Sequence, residues 1–507
     1  MNPRRLLDGH PALLLSLLSG SLMPLAFAPF FLWPLALLLP AVLIALWRRA
    51  HTAGRAFLLG WLFGLGWFGF GVYWLYNSLH DFGNAPPAVA GALTALMVLT
   101  LAAFIGALLM LLHRLNTRLS ASWLLLAWPL GWFAMEWFKG WVLTGFPWLS
   151  LGYAQTESPL SGFAPLVGVY GIGALSILLS LCLWRLPWRP LPALAVILLL
   201  FAGGYLLQER EWTRAVGAPL RVVMVQGNIP QEMRWRPESR RRIIERYRQA
   251  SEPWWGKTDL ILWPEAAVPG WARDLRRDLL EPLGRKSRDS GTALMTGILT
   301  RQSEGPGYYN SMLLLGGGRE QFYHKRHLVP FGEYFPLRGL IGFLDAYIDI
   351  PMSDMTPGPL QQPLMRIGET RLGVSICYED VFSRDVNRDL PQANLLINTS
   401  NDAWFGDSLA PHQHLQIARM RAMETRRPLL RSSNTGPTAF IDHHGRITGE
   451  RSGVFEFAVV SGQVQPRQGQ TPFLTFARWQ PWIAGVLLVV GLALAFWGRS
   501  SDRKEQG

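Results

Sequence analysis

The sequence predicts a bundle of about eight transmembrane helices joined to a separate α/β domain. Half of the 507 residues are hydrophobic, and the mean hydropathy is +0.16. Apolar runs of membrane-spanning length crowd the first 207 residues and recur near the C-terminus. Between them, the polar stretch 212–478 alternates short apolar runs with charged segments and is long enough to bury a core of its own.

The predicted spans are apolar runs that match the thickness of a hydrocarbon core. They lie near 11–28, 30–47, 56–77, 88–112, 121–138, 162–184, 190–207 and 480–497. The first run has the basic start of a signal peptide, but further runs follow it closely, so we interpret it as a retained helix. The predicted domains are therefore 1–211 with about seven helices, 212–478, and 479–507 with the last helix and a tail.

The net charge of +13 would suit a nucleic-acid partner, but its distribution does not. Basic residues fall in alternate connections between the spans, at Arg4, Arg5, Arg48, Arg49, Arg55, Arg114, Arg118, Arg185 and Arg189. This positive-inside pattern predicts a cytoplasmic N-terminus, and the basic tail predicts a cytoplasmic C-terminus. Seven crossings then place 212–478 outside the cytoplasm. The arginines between 234 and 246 are either a solvated helix face or a surface for anionic lipid headgroups.

The polar stretch reads as an α/β domain with a covered sheet. Its strand candidates are Leu220–Gln226, Leu260–Trp263, Ala293–Leu299, Ser311–Leu315, Leu372–Ile376, Leu395–Asn398 and Thr438–Ile441. Its helix candidates are 238–254, 272–288 and 411–426.

Two cysteines occur, and their contexts differ. Cys182 lies in an apolar span, so it is not an expected disulfide partner of Cys377. Cys377 closes an apolar strand and is followed at once by Tyr378, Glu379 and Asp380. A lone cysteine is more often a small buried hydrophobe than a nucleophile, so its role depends on what surrounds it.

Reactive residues end three segments of the polar stretch. They are Glu265 after Trp-Pro, Lys325 in Lys-Arg-His-Leu-Val-Pro-Phe-Gly-Glu333, and Cys377 in Ile-Cys-Tyr-Glu379. A thiol is mostly protonated at neutral pH, so a nearby carboxylate can take its proton as general base. A lysine keeps that carboxylate ionised and stabilises the oxyanion of a tetrahedral intermediate, with the backbone N–H of Tyr378 as a second donor. These residue types support acyl transfer through a thioester, without a metal or organic cofactor.

These motifs resemble those of the nitrilase superfamily, whose members have an αββα sandwich and a Glu–Lys–Cys triad. With the membrane spans added, the whole chain resembles the bacterial apolipoprotein N-acyltransferase family. The segments Val222–Gln231, Thr399–Gly406 and His414–Glu424 support this resemblance.

The resemblance implies a ping-pong reaction. An acyl chain would move from a phospholipid, preferably phosphatidylethanolamine, to Cys377, and then to the N-terminal amine of a diacylglyceryl-cysteine on an apolipoprotein. It implies Glu265 as general base, Lys325 as oxyanion stabiliser and Cys377 as nucleophile. The supporting residues would be Glu333, Glu379 and Tyr378, and Trp235 and Asn310 would contact the substrate. Alternatively, Glu333 and Glu379 form ordinary salt bridges at loop ends.

Other functions and sites stay open as weaker alternatives. A membrane-anchored amidase or hydrolase would pass the acyl group to water, and a transporter or receptor would only bind its ligand. His412 and His414 lack a third ligand in a zinc motif, and His443 and His444 resemble a turn. The run Gly316–Gly318 predicts a hairpin turn. We expect a monomer, with mobile lids in 335–360 or in the loop after Gly406.

Overall fold

The computed structural model describes residues 9–116, 119–302, 305–316, 318–334 and 354–496, which form two compact units. The first unit takes the residues up to Tyr73, then Gly91–Arg210, and the residues from Pro472 onward. The second takes Glu211–Thr471 together with Trp74–Ala90. The predicted connection 78–87, with the adjoining ends of two predicted spans, thus packs with the polar stretch.

Long apolar helices make up the first unit. They are Gly9–Leu22, Leu35–Trp47, Ala53–Gly71, Pro87–Asn116, Ala121–Lys139, Ala164–Arg185, Pro190–Gln208 and Pro472–Phe496. Within the described residues, six helical segments are long and apolar enough to cross a membrane, and Leu35–Trp47 is a shorter apolar helix. The prediction of several apolar helices in the N-terminal half is confirmed, whereas the number of spans stays a prediction.

The backbone between Lys139 and Ala164 is irregular and mostly buried. Two buried charged side chains bind it: the Leu151 N–H donates to Glu136 Oε1 at 2.6 Å, and Lys139 Nζ donates to the Trp148 carbonyl at 3.4 Å. Non-helical backbone in an apolar setting needs such partners, because water does not reach it.

The second unit holds fifteen strands among its described residues, with short helices between them. The strands are β1 Thr213–Ala215, β2 Leu220–Gln226, β3 Leu260–Leu262, β4 Val268–Trp271, β5 Ala293–Arg301, β6 Tyr308–Leu315, β7 Gln321–His324, β8 Met365–Ile367, β9 Thr370–Ile376, β10 Leu395–Ser400, β11 Leu429–Ser433, β12 Ala439–Ile441, β13 Ile447–Thr448, β14 Ala458–Val464 and β15 Arg467–Gly469. The helices are Leu75–His80, Gln231–Arg234, Pro237–Ser251, Glu281–Ser290, Ser383–Val386 and Ala410–Thr425.

Two mixed sheets carry thirteen of these strands, and β1 pairs with β15 in a separate two-stranded sheet. One has the order β14-β2-β3-β5-β6-β7, with β4 also paired to β5, and the other has the order β13-β12-β11-β10-β9-β8. In each sheet the central strands are parallel: β3 lies between β2 and β5 in the first sheet, and β10 lies between β9 and β11 in the second. Parallel strands are buried on both faces, which explains their nearly continuous apolar sequences.

The sheets pack face to face and each is covered by helices. Alternate residues of β2, Val222 and Met224, join Val374 and Ile397 of the other sheet in one core. The opposite face of the first sheet packs against Pro237–Ser251 and Glu281–Ser290. That of the second sheet packs against Ala410–Thr425. The result is a four-layer αββα arrangement, in agreement with the expected α/β class.

The seven strand candidates all coincide with strands, and the prediction missed β1, β4, β7, β8, β11, β13, β14 and β15. The missed strands are short or rich in polar residues, as in the Leu-Leu-Arg-Ser-Ser of β11. The helix predicted at 272–288 begins later in the structure. It starts with a π-helical turn at Arg276–Leu280 and continues as the α-helix Glu281–Ser290.

Candidate active site

Cys377 follows β9 directly, at a sharp turn of the chain. Its φ is +52°, a left-handed conformation that is rare outside glycine and persists only where the surroundings enforce it. Two side chains hold its carbonyl oxygen: Asn398 Nδ2 at 3.2 Å and His414 Nε2 at 3.3 Å. Burial and the Glu265 carboxylate raise the pKa of the Cys377 thiol well above its ordinary value, while Lys325 opposes them. The resting thiol is therefore protonated and needs a base.

Lys325 follows β7 and is buried, with 1% of its side chain exposed. Its Nζ lies 2.7 Å from Glu333 Oε1 and 3.5 Å from Glu265 Oε1. Burial lowers the pKa of Lys325, but the carboxylates of Glu333 and Glu265 outweigh it and raise that pKa above its ordinary value. Lys325 is thus a permanent cation beside two carboxylates and the thiol.

Glu265 ends the Trp-Pro-Glu turn after β3. Ala266 has a φ of +49°, and β5 passes so close that a Cβ on Gly297 would lie 2.2 Å from the Ala266 nitrogen. The buried Arg234 donates from Nη1 to the Glu265 carbonyl oxygen at 3.0 Å. The turn is therefore fixed from both sides, and the Glu265 carboxylate faces Lys325.

Glu379 links the turns that follow β7 and β9. Its Oε1 accepts from the backbone N–H groups of Arg326 and His327, at 2.6 and 3.1 Å. Its Oε2 accepts from the Ile376 N–H at 2.7 Å and from the Tyr323 hydroxyl at 2.8 Å. Burial raises the pKa of Glu379 to about 7, although the three backbone N–H donors and the Lys325 charge oppose the shift. Glu379 fixes the spacing between the Lys325 and Cys377 turns.

The other predicted site residues occupy distinct places. Asn310 Nδ2 donates to Glu265 Oε1 at 2.7 Å and to Glu333 Oε1 at 3.2 Å, so it orders the carboxylates. Glu333 also accepts the Val329 N–H at 2.8 Å. The Tyr378 ring packs edge-on against Phe382. Trp235 is half-buried and ends the short helix that carries Arg234.

Sequence reasoning missed a set of buried polar residues behind the nucleophile. They are Arg234, Asn398, Asp402, His414 and Arg431, and their side chains all make hydrogen bonds within the second unit. Asn398 ends a predicted strand, and Asp402 and His414 lie in the segments that supported the family resemblance. For these three residues, that position was the one available signal, because their hydrogen bonds connect residues far apart in the sequence.

Among the residues that the structure describes, two groups place potential metal ligands within 4.8 Å of one another. In the first, Cys377, Asp402 and His414, both imidazole nitrogens already face carboxylates. In the second, Glu211, His443 and His444, Arg426 Nη1 lies 2.7 Å from His444 Nδ1, and Arg467 donates to Glu211. Each group is thus already engaged in hydrogen bonds within the protein.

The remaining predicted loops are partly described. His443 and His444 form the turn between β12 and β13. Gly316 and Gly318 lie between the antiparallel strands β6 and β7.

Of the lid candidates, 335–353 lies outside the described residues. The loop before Gly406 is held by hydrogen bonds from Asn77 and Ser78 to the Phe405 and Trp404 carbonyls.

Comparison with known proteins covers both units. Residues 19–182 match the family described as the apolipoprotein N-acyltransferase N-terminal domain, and residues 221–471 match the carbon–nitrogen hydrolase family. The apolipoprotein N-acyltransferase of Azotobacter vinelandii is 43% identical, over 98% of this chain and 97% of the relative. That of Nitrosomonas europaea is 40% identical, over 97% of this chain and 99% of the relative.

Solved structures match about half of the chain. A carbon–nitrogen hydrolase superfamily protein from Xanthomonas campestris is 20% identical, covering 53% of this chain and 97% of its own, with a TM-score of 0.36. An amidase from Nesterenkonia sp. AN1 is 18% identical, covering 52% and 97%, with a TM-score of 0.35.

Proposed function

We propose a two-step acyl transfer for this chain, which belongs to the apolipoprotein N-acyltransferase family. It is an acyltransferase of the carbon–nitrogen hydrolase type, so the resemblance found in its sequence motifs is confirmed. The proposed donor is a membrane phospholipid, preferably phosphatidylethanolamine. The proposed acceptor is the N-terminal amine of a diacylglyceryl-cysteine on an apolipoprotein.

In the first step, the Cys377 sulfur attacks the acyl carbonyl carbon of the phospholipid ester. Glu265 takes the thiol proton as the C–S bond forms. The oxyanion is stabilised by the Lys325 ammonium and the Tyr378 N–H. When the C–O bond breaks, Glu265 returns the proton to the leaving oxygen, which gives a lysophospholipid and the Cys377 thioester.

In the second step, the acceptor amine attacks the thioester carbonyl at the same site. Glu265 accepts a proton from the amine, and the same two donors stabilise the second oxyanion. The C–S bond breaks, the amide forms, and Glu265 returns the proton to the Cys377 sulfur. Each half-reaction therefore begins and ends with an ionised Glu265.

The observation that carries this proposal is the position of Lys325 at the end of β7. Its ammonium lies between the carboxylates of Glu333 and Glu265 and interacts with the Cys377 thiol. The Glu333 carboxylate stays paired with Lys325 Nζ, at 2.7 Å, while Glu265 alternates between its protonated and ionised forms. A cation held in this way can serve both oxyanions without losing its own proton.

We further propose that the enzyme is a monomer in the bacterial inner membrane. About eight spans would place the second unit on the periplasmic side and both termini in the cytoplasm. The alternate connections that hold Arg48, Arg49, Arg114 and Arg185 support this orientation. A catalytic unit tethered at both ends to apolar helices would meet its lipid donor at the membrane surface.

The test is to trap the acyl-enzyme. Purified protein is incubated with phosphatidylethanolamine labelled in its acyl chains, and the labelled residue is mapped by mass spectrometry. We expect a hydroxylamine-sensitive acyl group on Cys377 that moves to the amine of a diacylglyceryl lipopeptide. Cys377→Ala should abolish labelling, and Cys182→Ala, which changes the only other cysteine, should not.

Three outcomes would contradict parts of the proposal. Labelling of Cys377→Ala would exclude Cys377 as the nucleophile. Release of the label only as free fatty acid in the presence of the lipopeptide would indicate a hydrolase. A native mass of two protomers in lipid nanodiscs would exclude the monomer.

A further inference from the structure

A buried network of charges lies directly behind Cys377. His414, on the helix Ala410–Thr425, has its Nδ1 at 3.0 Å from Asp402 Oδ1 and its Nε2 at 2.9 Å from Asp380 Oδ1. Arg431, on β11, has Nη2 at 2.9 Å from Asp402 Oδ2 and Nη1 at 3.6 Å from Asp380 Oδ2. The side chains of all four residues are inaccessible to solvent. The acyl-transfer steps use none of them.

The geometry favours a protonated imidazole at His414. Each ring nitrogen faces a carboxylate oxygen, and a neutral imidazole has only one N–H, so beside two ionised carboxylates one of the two contacts would join two lone pairs. Burial and Arg431 lower the pKa of His414, but Asp380 and Asp402 outweigh them and raise it. Burial favours a neutral Asp402, yet Arg431 and His414 lower the pKa of Asp402 to about 2. The Asp380 and Asp402 carboxylates thus both lie close to the Arg431 guanidinium and the His414 imidazole.

This network reaches the nucleophile through its backbone. The His414 Nε2–H is shared between Asp380 and the Cys377 carbonyl, and Asn398 Nδ2 donates to the same carbonyl. Asn398 is itself fixed, because its Oδ1 accepts from Arg431 Nη1 at 2.7 Å. Two donors thus determine the direction of this carbonyl group, from two different elements.

The direction of that carbonyl sets the direction of the oxyanion donor. The Cys377 C=O and the Tyr378 N–H belong to one planar trans peptide, so they point in opposite directions. Donors on the carbonyl also polarise the peptide and strengthen its N–H as a donor. The same network lies close to the thiol, since Asp402, His414 and the Cys377 sulfur have polar atoms within 4.8 Å of one another.

We propose that His414 is a positioning residue: with Asn398 it holds the Cys377–Tyr378 peptide as the oxyanion donor, and its charge offsets Asp402 beside the thiolate. This role rests on the acyl-transfer site proposed above. It also explains how the left-handed Cys377 persists, since donors on its carbonyl resist relaxation of the turn.

The experiment measures acyl-enzyme formation in His414→Gln, using the full-length protein in detergent with labelled phosphatidylethanolamine. We expect the maximal rate to fall by about 10²-fold, the size typical of losing one oxyanion donor, with an unchanged phospholipid KM. We also expect the midpoint of Cys377 alkylation by a maleimide to move to higher pH, because the Asp402 charge is no longer offset. The double variant His414→Gln/Asp402→Asn should restore this midpoint but not the rate.

His412→Gln is the matched control, because His412 lies one half-turn earlier on the same helix and is only half-buried. Should His414→Gln fail to fold, Asn398→Asp keeps an acceptor for Arg431 and removes the other donor to the carbonyl. It should lower the maximal rate to a similar extent. The inference would be overturned if His414→Gln, or Asn398→Asp where His414→Gln does not fold, showed the wild-type rate of acyl-enzyme formation and the wild-type midpoint of Cys377 alkylation. Failure of the proposed function can be distinguished from failure of this inference, because it would appear as acyl labelling of Cys377→Ala.

Discussion

The environment of Cys377 opposes its ionisation. Burial and the Glu265 carboxylate both disfavour the thiolate, and Lys325 favours it. A free thiolate would be the better nucleophile, but it would also be open to oxidation while no substrate is bound. In the proposed mechanism the thiol stays protonated until Glu265 takes its proton during attack, which avoids this state. The reactivity of Cys377 therefore depends on the charges around it rather than on a low thiol pKa.

These charges make a prediction at the scale of single residues. Glu265→Gln should lower the pKa of the Cys377 thiol, because it removes a negative charge, and Lys325→Met should raise it, because it removes the opposing cation. Shifts of roughly one to three units are typical for charges this close. The measurement is the rate of maleimide alkylation against pH, in a Cys182→Ala background.

Both variants should lose acyl transfer, by at least 10²-fold, although their alkylation midpoints move in opposite directions. Movement of both midpoints in the same direction would show that the two side chains do not act on the thiol through their charges.

Strand ends and the turns that follow them define the site at the next scale. Glu265, Lys325 and Cys377 follow β3, β7 and β9, and Glu379 ties the last two turns together. The turn after β3 depends instead on close packing against β5. A Cβ on Gly297 would lie 2.7 Å from the Pro264 carbonyl oxygen and 2.2 Å from the Ala266 nitrogen, both of them backbone atoms.

Gly297→Ala should therefore displace the Glu265 turn. We expect acyl-enzyme formation to fall by at least tenfold, because catalysis depends on small displacements of the base. The cost in stability should be about 1–3 kcal/mol, as for other overpacked sites. Thermal unfolding followed in detergent and acyl-enzyme labelling are the two measurements.

Gly284→Ala is the control, since its Cβ would meet only the flexible end of Arg288 at 3.5 Å and the Leu315 side chain at 4.0 Å. Alanine in that helix should be neutral or stabilise by up to ~1 kcal/mol. Equal losses of acyl-enzyme formation in Gly297→Ala and Gly284→Ala would mean that a general sensitivity to alanine, and not displacement of the Glu265 turn, explains the result.

At the scale of the whole molecule, the polar stretch is continuous in sequence with apolar helices on both sides. The helix Pro190–Gln208 precedes it and Pro472–Phe496 follows it. Both tethers carry exposed apolar side chains, for example Leu199 and Val489. These surfaces suit lipid, whereas the proposed orientation rests on the alternate basic connections between the spans.

The orientation can be tested with fusions of alkaline phosphatase, which is active only outside the cytoplasm. A fusion after about residue 300 should be active, because the proposed topology has seven crossings before it. A fusion after His51, in the basic connection that follows Trp47, should be inactive. The reverse pattern of activity would invert the proposed topology.

The sequence alone determined the class of this protein and the three chemical groups at its centre. Apolar runs and alternate basic connections are local patterns, and the motifs that contain Glu265, Lys325 and Cys377 are each contiguous in the chain, so the three motifs were sufficient. Segments of weak local preference were not predicted, such as β11, whose Arg431 and serines become strand only because the fold buries and pairs them.

Only the tertiary structure decided which groups surround those three. His414 meets Cys377 across 37 positions, Arg234 meets Glu265 across 31, and Asn310 joins two carboxylates that are far apart in the chain. It also placed Trp74–Ala90 with the polar stretch. The physical reason is that periodicity records which face of an element is buried, whereas a buried charge is tolerated only where distant partners converge on it.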